Sequence, residues 1–389
     1  MDTAQINRAL EISASFPFAI LRNSFTPLSK PPASSSRERS LVSTEAKVEY
    51  ADPLVDSAWQ SECAASPDAT FFHTSHWMSS LRDAYGYRPL LARLVENEQT
   101  ILSLPLMEVE SRLTGKRGIA LPFTDRCGPI GAQASAFPSL VASLLKTGAE
   151  RSWKYLELRG GTELIENAPP STRFWRHLRT LSLPEETLFA SFSSSTRRAI
   201  RKAERSDLRI SDSLSIEALE TFYALMQQSR KRHGLPPQPF RFFESLYRNA
   251  LTQGKGRLLI AFSNETPIAG ALFLHHNQNV LYKFGASDKR YQELRANNQI
   301  MWQAIRRYAL EGYETLDFGR TSIGNEGLRR FKLGWGTAES TDSYLRYDFS
   351  KDRWIVSQDQ SNGWSNRFFR LLPIPILRAL GSLIYKHVA

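Results

Sequence analysis

From Leu90 onward the chain reads as short apolar runs broken by turn residues. LLARLV, a turn at ENEQ, ILSLPLMEV and RGIALPF are followed by SLVASLLKTGAERS, whose apolar positions recur at helical spacing, and then by KYLELR. The pattern predicts strand, turn, strand, strand, helix, strand. The same order returns from Arg257 as RLLIAF, NETP, IAGALFLHH, NQN, VLYKFGAS, a helix over 298–311, and ETLDFGR. In that second helix Ile300, Met301, Ala304, Ile305, Tyr308 and Ala309 form one stripe, with Asn297 or Asn298 placed to cap it and Gly312 to end it. Earlier, Leu219, Phe222, Tyr223 and Met226 mark another amphipathic helix, stopped by Gly234 and by Pro236, Pro237 and Pro239.

A chain of 389 residues exceeds the roughly 250–300 at which one hydrophobic core stops growing. The repeated layout therefore divides it into units over 45–185 and 186–349, preceded by a Ser/Pro-rich leader over 1–44 and followed by a basic amphipathic tail over 350–389. Apolar residues at 41% and charged residues at 23% are globular values and exclude a disordered or membrane-spanning class for the whole chain. No stretch approaches the roughly 20 apolar residues of a membrane span. The N-terminal run from Phe16 to Leu21 is interrupted by Pro17 and too short for a signal-peptide core, so a cytoplasmic protein is expected.

A net charge of +11 calls for an anionic partner: a phosphate-bearing substrate, RNA or an acidic lipid surface. Cys63 and Cys127 show neither a disulfide framework nor metal-ligand spacing. His73 and His76 stand three apart with no third ligand, so no metal site is expected, and capping by Thr74 or Ser75 accounts for that segment better.

Several segments carry a family resemblance. FFHTSHWMSSL, SLPL and LPFTDRCGPI in the first unit, then STRRAIRKAE, FYALMQQSRKRHGLPPQPFRFF, PIAGALFL, YKFGAS and LDFGRTSIGNEGLRRFKLGWG in the second, lie in this order between Phe71 and Tyr347. Together they resemble FemAB-related proteins, including those with the BioF2-like acetyltransferase domain and those accompanying exopolysaccharide and PEP-CTERM sorting loci. The resemblance implies an α/β (α+β) fold of tandem GNAT-like domains with mixed, mainly antiparallel sheets. It also implies transfer of an acyl or aminoacyl group to an amine, as when Fem enzymes add amino acids to cell-wall precursors from aminoacyl-tRNA. Two departures stand out. The charged helical hairpin of staphylococcal-type Fem proteins is missing, and where acetyl-CoA enzymes carry a Gln/Arg-x-x-Gly-x-Gly/Ala phosphate loop this chain reads YQELRANNQIMW.

Acyl transfer to an amine needs a neutral amine, a seat for the oxyanion and stabilisation of the leaving group. By the resemblance, Lys332 in RRFKLGWG matches a lysine at the transfer site; an ordinary solvated loop lysine is the alternative. Arg320, at the end of LDFGR, is a second cation, and Asp317 either orients it, accepts a proton or sits in a strand-end salt bridge. Arg197, Arg201 and Lys202 fall in a stretch with six basic and two acidic residues between Arg197 and Arg209. Arg197, Arg201 and Arg205 share a helical face suited to a pyrophosphate or an RNA backbone, or simply to solvent.

Tyr282 and Lys283 lie on the strand that in GNAT folds borders the donor's acyl group, and alternation places Tyr282 with Phe284 on one face and Lys283 on the other. Asn297 is grouped with these donor contacts. Arg230 and His233 close a helix whose dipole they complement and are candidate substrate contacts.

The expected activity is thus N-acyl transfer to an amine of a glycan, peptidoglycan-like or small-molecule precursor, with acyl-CoA, an acyl carrier protein or aminoacyl-tRNA as donor substrate and no bound cofactor. Strict dependence on aminoacyl-tRNA is one rival; a non-catalytic RNA-binding or scaffold protein is another. In the tail, Ile376, Leu380, Leu383 and Ile384 form one side beyond Pro373 and Pro375. Two roles are open to it: packing on the protein itself, or peripheral contact with the inner membrane face.

Overall fold

The computed structural model describes residues 46–356 and 364–387, with side chains from 368 in the last segment; the proposed leader over 1–44 lies outside them. The first half opens with β1 (Lys47–Ala51), α1 (Ser57–Ala65) and α2 (Ser75–Tyr85). It continues through β2 (Arg88–Glu96), β3 (Gln99–Ser111), β4 (Gly115–Ile119), α3 (Phe137–Glu150) and β5 (Trp153–Leu158). Next come β6 (Thr172–Thr180), α4 (Glu185–Ala190), α5 (Ser194–Glu204), β7 (Leu208–Asp212), α6 (Ile216–His233) and α7 (Phe240–Asn249). The second repeat follows as β8 (Gly256–Ser263), β9 (Thr266–His276), β10 (Asn279–Ser287), α8 (Ala296–Leu310) and β11 (Thr315–Ser322). The chain closes with α9 (Glu326–Leu333), β12 (Ala338–Asp348), β13 (Arg353–Trp354), α10 (Trp364–Leu371) and α11 (Ile374–Ile384).

Among the described residues the strands form one sheet, ordered β1-β2-β3-β4-β5-β12-β6-β11-β10-β9-β8-β7, with β13 paired to β12. Most neighbours are antiparallel; β4–β5 and β10–β11 are parallel, because each pair is joined through a crossover helix, α3 or α8. β12 links the halves. Its first part pairs with β6 from Ala338↔Leu178 to Tyr344↔Thr172, and its end pairs with β5 from Leu345↔Leu158 to Asp348↔Tyr155. β6 precedes residue 186 in sequence yet runs between β12 and β11 in the second half's part of the sheet.

Three apolar clusters hold this arrangement. α3 packs Leu140, Val141 and Leu144 against Leu104, Leu156 and Leu158. α8 packs Ile300, Met301 and Ile305 against Ala271, Phe273 and Phe318. The third core is shared: Phe72, Trp77 and Leu81 of the first half meet Phe222, Phe242 and Phe243 of the second. Trp77 and Phe242 meet edge to face at 5.8 Å. The stripe read from Leu219, Phe222, Tyr223 and Met226 is therefore the seam between the halves.

Candidate active site

β10 keeps β9 as its antiparallel neighbour along its whole length but pairs with β11 only at Asn279↔Thr315, Val280↔Leu316 and Leu281↔Asp317. Beyond that point both strands bulge, β10 between Tyr282 and Phe284 and β11 between Asp317 and Arg320, and β11 continues with β6. The two strands splay, so one edge of β10 beyond Leu281 has no strand paired to it, and its end at Ser287 is held by Ser229 and Arg232 of α6. A bulge adds a residue and breaks the side-chain alternation. Tyr282 consequently packs with Phe273 and Phe318 in the α8 core, while Phe284 meets Phe242 edge to face and Phe243 at a tilt in the shared core. The expected common face of Tyr282 and Phe284 is thus corrected, and Lys283 lies on the Phe284 side, 4.7 Å from the Phe72 ring.

A buried charge cluster closes the inner end of the splay. The Lys283 ammonium donates to Phe123 O at 2.7 Å and pairs with Asp125 at 3.2 Å; Arg320 Nε stands 3.5 Å from the same carboxylate. Asp125 arrives from the first half on a turn in which Leu121 and Phe123 both take positive φ, a conformation costly for side chains of that size. Burial by itself raises the Asp125 pKa, but the charges of Lys283, Arg320 and Lys332 outweigh it and hold the carboxyl below its ordinary range. Arg320 also donates to the Tyr344 hydroxyl at 2.6 Å and lies over the Phe174 ring. Asp317 pairs with Arg176 at 3.0 Å and accepts from the Gly319 amide at 2.8 Å.

Lys332 sits in α9 rather than in an open loop, and it is 2% exposed. Its ammonium donates to Gly319 O at 2.7 Å and Arg320 O at 3.0 Å, carbonyls of the splayed strand. Burial lowers its pKa to about 8 against the opposing pull of Asp125 and Asp317. The three residues singled out as catalytic, Lys332, Arg320 and Asp317, are therefore neighbours, and the sheet adds Asp125 and Lys283 to them.

At the other end of the splay, α8 begins with Arg295 at φ 57° and no side-chain cap, so neither Asn297 nor Asn298 caps it. The amides of Asn298 and Gln299 both return to Arg295 O, which leaves those of Ala296 and Asn297 outside the helix ladder. They border a cleft of about 160 Å³ lined by Ser287, Asp288, Tyr291, Arg295, Asn297 and Phe331 among others. Phe331 in the cleft wall adjoins Lys332 in the charge cluster, so α9 ties the two together.

The remaining expected contacts divide. α5 packs on α8, and its Lys202 pairs at 3.1 Å with Glu293 in the turn ahead of α8, at the edge of the cleft. Arg197 donates to Ala190 O and Arg201 covers the Phe189 ring, both on the exposed face of α5. Arg230 is turned away: it donates to the Tyr385 hydroxyl at 2.5 Å and to Pro236 O at 3.3 Å, holding the C-terminal segment. His233 stands beside it, its pKa lowered by burial and then by Arg232 and Arg230.

Arg232 is the member of that basic run that reaches the site, donating to Ser287 O at 2.9 Å. The His73 Nδ1 accepts from the Thr70 amide and its Nε2 meets Gly128 O at 3.0 Å; burial lowers its pKa to about 4. His76 meets Asn249 O, and the Thr74 hydroxyl donates to Phe71 O instead of capping α2. No group of three or more His, Cys, Asp or Glu able to hold a metal occurs among the described residues.

Sequence reading missed Asp125, Arg232 and Arg295. Asp125 lies within LPFTDRCGPI, far from the residues it contacts, and Arg295 occupies a left-handed position with no glycine to mark it.

A strand pair that opens toward a free helix N-terminus is the layout of an acyltransferase domain, and residues 190–339 match the family model described as an acetyltransferase (GNAT) domain. That stretch holds the splay, the α8 cleft, Arg320 and Lys332. Residues 190–339 thus carry a GNAT-type acyltransferase domain. The fold is similar to that in the crystal structure of FemX, with a TM-score of 0.62 at 14% identity, covering 76% of this chain and 96% of that one. A conserved protein of unknown function from Bacteroides thetaiotaomicron aligns at 0.50 with 12% identity, covering 77% and 99%. A tandem GNAT protein from the clavulanic acid biosynthesis pathway aligns at 0.49 with 10% identity, covering 78% and 98%. No curated protein matches the sequence.

Proposed function

We propose that the protein is an N-acyltransferase whose second half seats the donor's phosphates at the N-terminus of α8 and its acyl carbonyl along the open edge of β10. The observation that carries this reading is the splay itself: β10 and β11 part after Leu281↔Asp317 toward two amides, those of Ala296 and Asn297, that have no backbone partner among the described residues. Backbone donors at a helix N-terminus favour an anion through hydrogen bonds and the helix dipole. Arg295 and, at the rim, Lys202 with Arg197 and Arg201 add positive charge there.

In the transfer, the amine lone pair attacks the carbonyl, the oxyanion forms, and collapse breaks the bond to the thiolate or ribose oxygen, which takes up the proton that the amine nitrogen loses. The Lys332 ammonium, with Arg320 beside it, supplies the positive field for the oxyanion and leaving group. With a pKa of about 8 it is mostly charged at neutral pH. Asp317 and Asp125 orient the cations, and Asn297 contributes its amide to the donor seat. Tyr282 lines the acyl end.

The acceptor in this reading is an amine on a glycan, a peptidoglycan-like precursor or a small molecule, and the donor is acyl-CoA, an acyl carrier protein or aminoacyl-tRNA. Among the described residues no helix is long and apolar enough to cross a membrane; a cytoplasmic enzyme meeting its acceptor in solution or at the inner membrane face is the setting proposed.

The test is incubation of the whole chain with labelled acyl-CoA, acyl carrier protein and aminoacyl-tRNA pools in the presence of amine acceptors. The expected result is donor-dependent label transfer from one of the three classes. Salt-sensitive retention of RNA without turnover of any donor would overturn the reading.

A further inference from the structure

The C-terminal segment is a strap pinned across both halves. Leu377, Gly381, Ile384 and Tyr385 are buried, and a Cβ on Gly381 would stand 2.0 Å from Pro237 O, so the strap lies directly on the backbone beneath it. The Tyr87 hydroxyl donates to Tyr385 O at 2.9 Å, the Thr114 hydroxyl to His387 O at 2.8 Å and Arg117 to the same carbonyl at 2.5 Å. Of the stripe read from the sequence, Ile384 faces inward, whereas Ile376 and Leu383 do not.

That packing does not use up the apolar surface. Leu371 is 81% exposed, Leu383 63%, Phe368 50% and Ile376 47%. Ile376, Leu380 and Leu383 follow one another at helical spacing on α11, on a face distinct from that of Leu377, Gly381 and Ile384. Phe368 and Leu371 do the same on α10. Arg378, Ser382 and Lys386 form the narrow polar stripe between, and Arg370 stands exposed on α10. From residue 361 to the end the sequence holds Arg367, Arg370, Arg378 and Lys386 and not one Asp or Glu.

Single exposed apolar residues are ordinary on protein surfaces. Large ones on successive turns of an anchored strap, with only cations among them, have the composition of an interfacial helix. We propose that this strap docks the protein on an anionic lipid surface, Phe368, Leu371, Ile376 and Leu383 entering the headgroup boundary and Arg370, Arg378 and Lys386 meeting lipid phosphates. At 11 residues α11 lies in the surface and does not cross it. The proposal is independent of the donor and acceptor of the acyl transfer.

Co-sedimentation of the full chain with phosphatidylglycerol-containing vesicles and with neutral phosphatidylcholine vesicles tests it. Binding to the anionic vesicles is expected to be at least tenfold tighter, and to weaken with salt. The variant Leu371→Ser, Ile376→Ser, Leu383→Ser changes only outward side chains; it is expected to melt like the parent and to lose vesicle binding at least tenfold. Reversal of Arg370, Arg378 and Lys386 to Glu is expected to abolish the preference for anionic lipid. Negligible binding by the parent, or binding unchanged by the serine variant, overturns the proposal. So does a dimer in light scattering that the serine variant dissolves while vesicles are ignored, which would make a second copy the occupant.

Discussion

In the first half β4 and β5, despite a register shift between Lys116 and Gly118, pair again through Gly118↔Leu156 and Ile119↔Glu157, and the Ala120 amide carries the ladder on to Glu157 O; in the second, β10 leaves β11 after Leu281↔Asp317. The closed end is filled by its own charges. Glu157 lies between Arg159 and Arg346, and a bridge from Cys127 to Arg159 folds the following segment over it. At the open end the corresponding carboxylate, Asp317, pairs with Arg176, while the first half lends Asp125 to Lys283 and Arg320.

The crossover helices differ in the same sense. α3 starts with a buried Phe137 and Pro138, which has no amide to offer, whereas α8 starts with Arg295 at positive φ and the free amides of Ala296 and Asn297 beside the cleft. On the proposed reading, one strand–helix–strand plan offers a ligand seat only where the strands part for good and the helix keeps its donors.

Charge removal tests the contrast most severely. Asp125→Ala and Glu157→Ala each strip a carboxylate from buried cations, and each is expected to cost about 3–5 kcal/mol of stability, read by denaturant unfolding. Only Asp125→Ala should also impair donor turnover when both are assayed where they remain folded. Equal impairment by Glu157→Ala would mean that the first half is not merely a support.

Next in size is Lys332→Met, expected to lower kcat about 10²–10³-fold. Retention of donor affinity in titration calorimetry would place its effect on the reaction; a folded variant with full kcat would make Lys332 a brace for the Gly319 and Arg320 carbonyls alone.

A direct graft comes third. Asn297→Pro puts the first half's Pro138 feature into the first turn of α8, where proline is tolerated; compared with Asn297→Ala, which removes the side chain alone, it isolates the loss of the backbone amide. Donor dissociation should rise about tenfold, the value of one hydrogen bond of about 1.5 kcal/mol to a charged group. An unchanged donor Kd in a normally melting variant would remove the α8 amides from the seat. Reversing Arg197, Arg201 and Lys202 to Glu is expected to raise the donor KM severalfold and flatten its salt dependence, and an unaltered KM would return these residues to the solvated surface.

The smallest effect is a pH profile. Lys332 titrates near 8 in the folded chain against an ordinary 10.5. Between these values the unfolded chain binds more protons, so its contribution to stability grows with pH across that window. The cation at the site is lost over the same window, so turnover should fall above pH 8 while the Lys332 contribution to Tm rises. A rate that climbs through pH 8 would make the neutral amine the working form.

Local pattern was enough to establish much of this. The repeated order of strands and helix, the α6 stripe and the extent of α8 were legible because side-chain periodicity reports which face of an element is buried. The grouping of Lys332, Arg320 and Asp317 near one another followed from their closeness in sequence. Other features had no local signature. The bulge that sends Tyr282 and Phe284 to opposite cores is a misfit between β10 and β9, visible only once they are paired.

Asp125 reaches Lys283 from 158 positions away, and no window of sequence contains both. The insertion of β6 between β12 and β11 is likewise a choice of partners, made by the fold and not by the strand. By resemblance Lys332 matches a transfer-site lysine, with an ordinary solvated lysine as the alternative; only the fold buries it and sets its ammonium on the carbonyls of Gly319 and Arg320. In the tail the sequence established an apolar, cationic segment, but only packing decided that Leu377, Gly381 and Ile384 turn inward and leave Ile376 and Leu383 in solvent. Periodicity fixes what an element can bury; the neighbours available in three dimensions decide what it does bury.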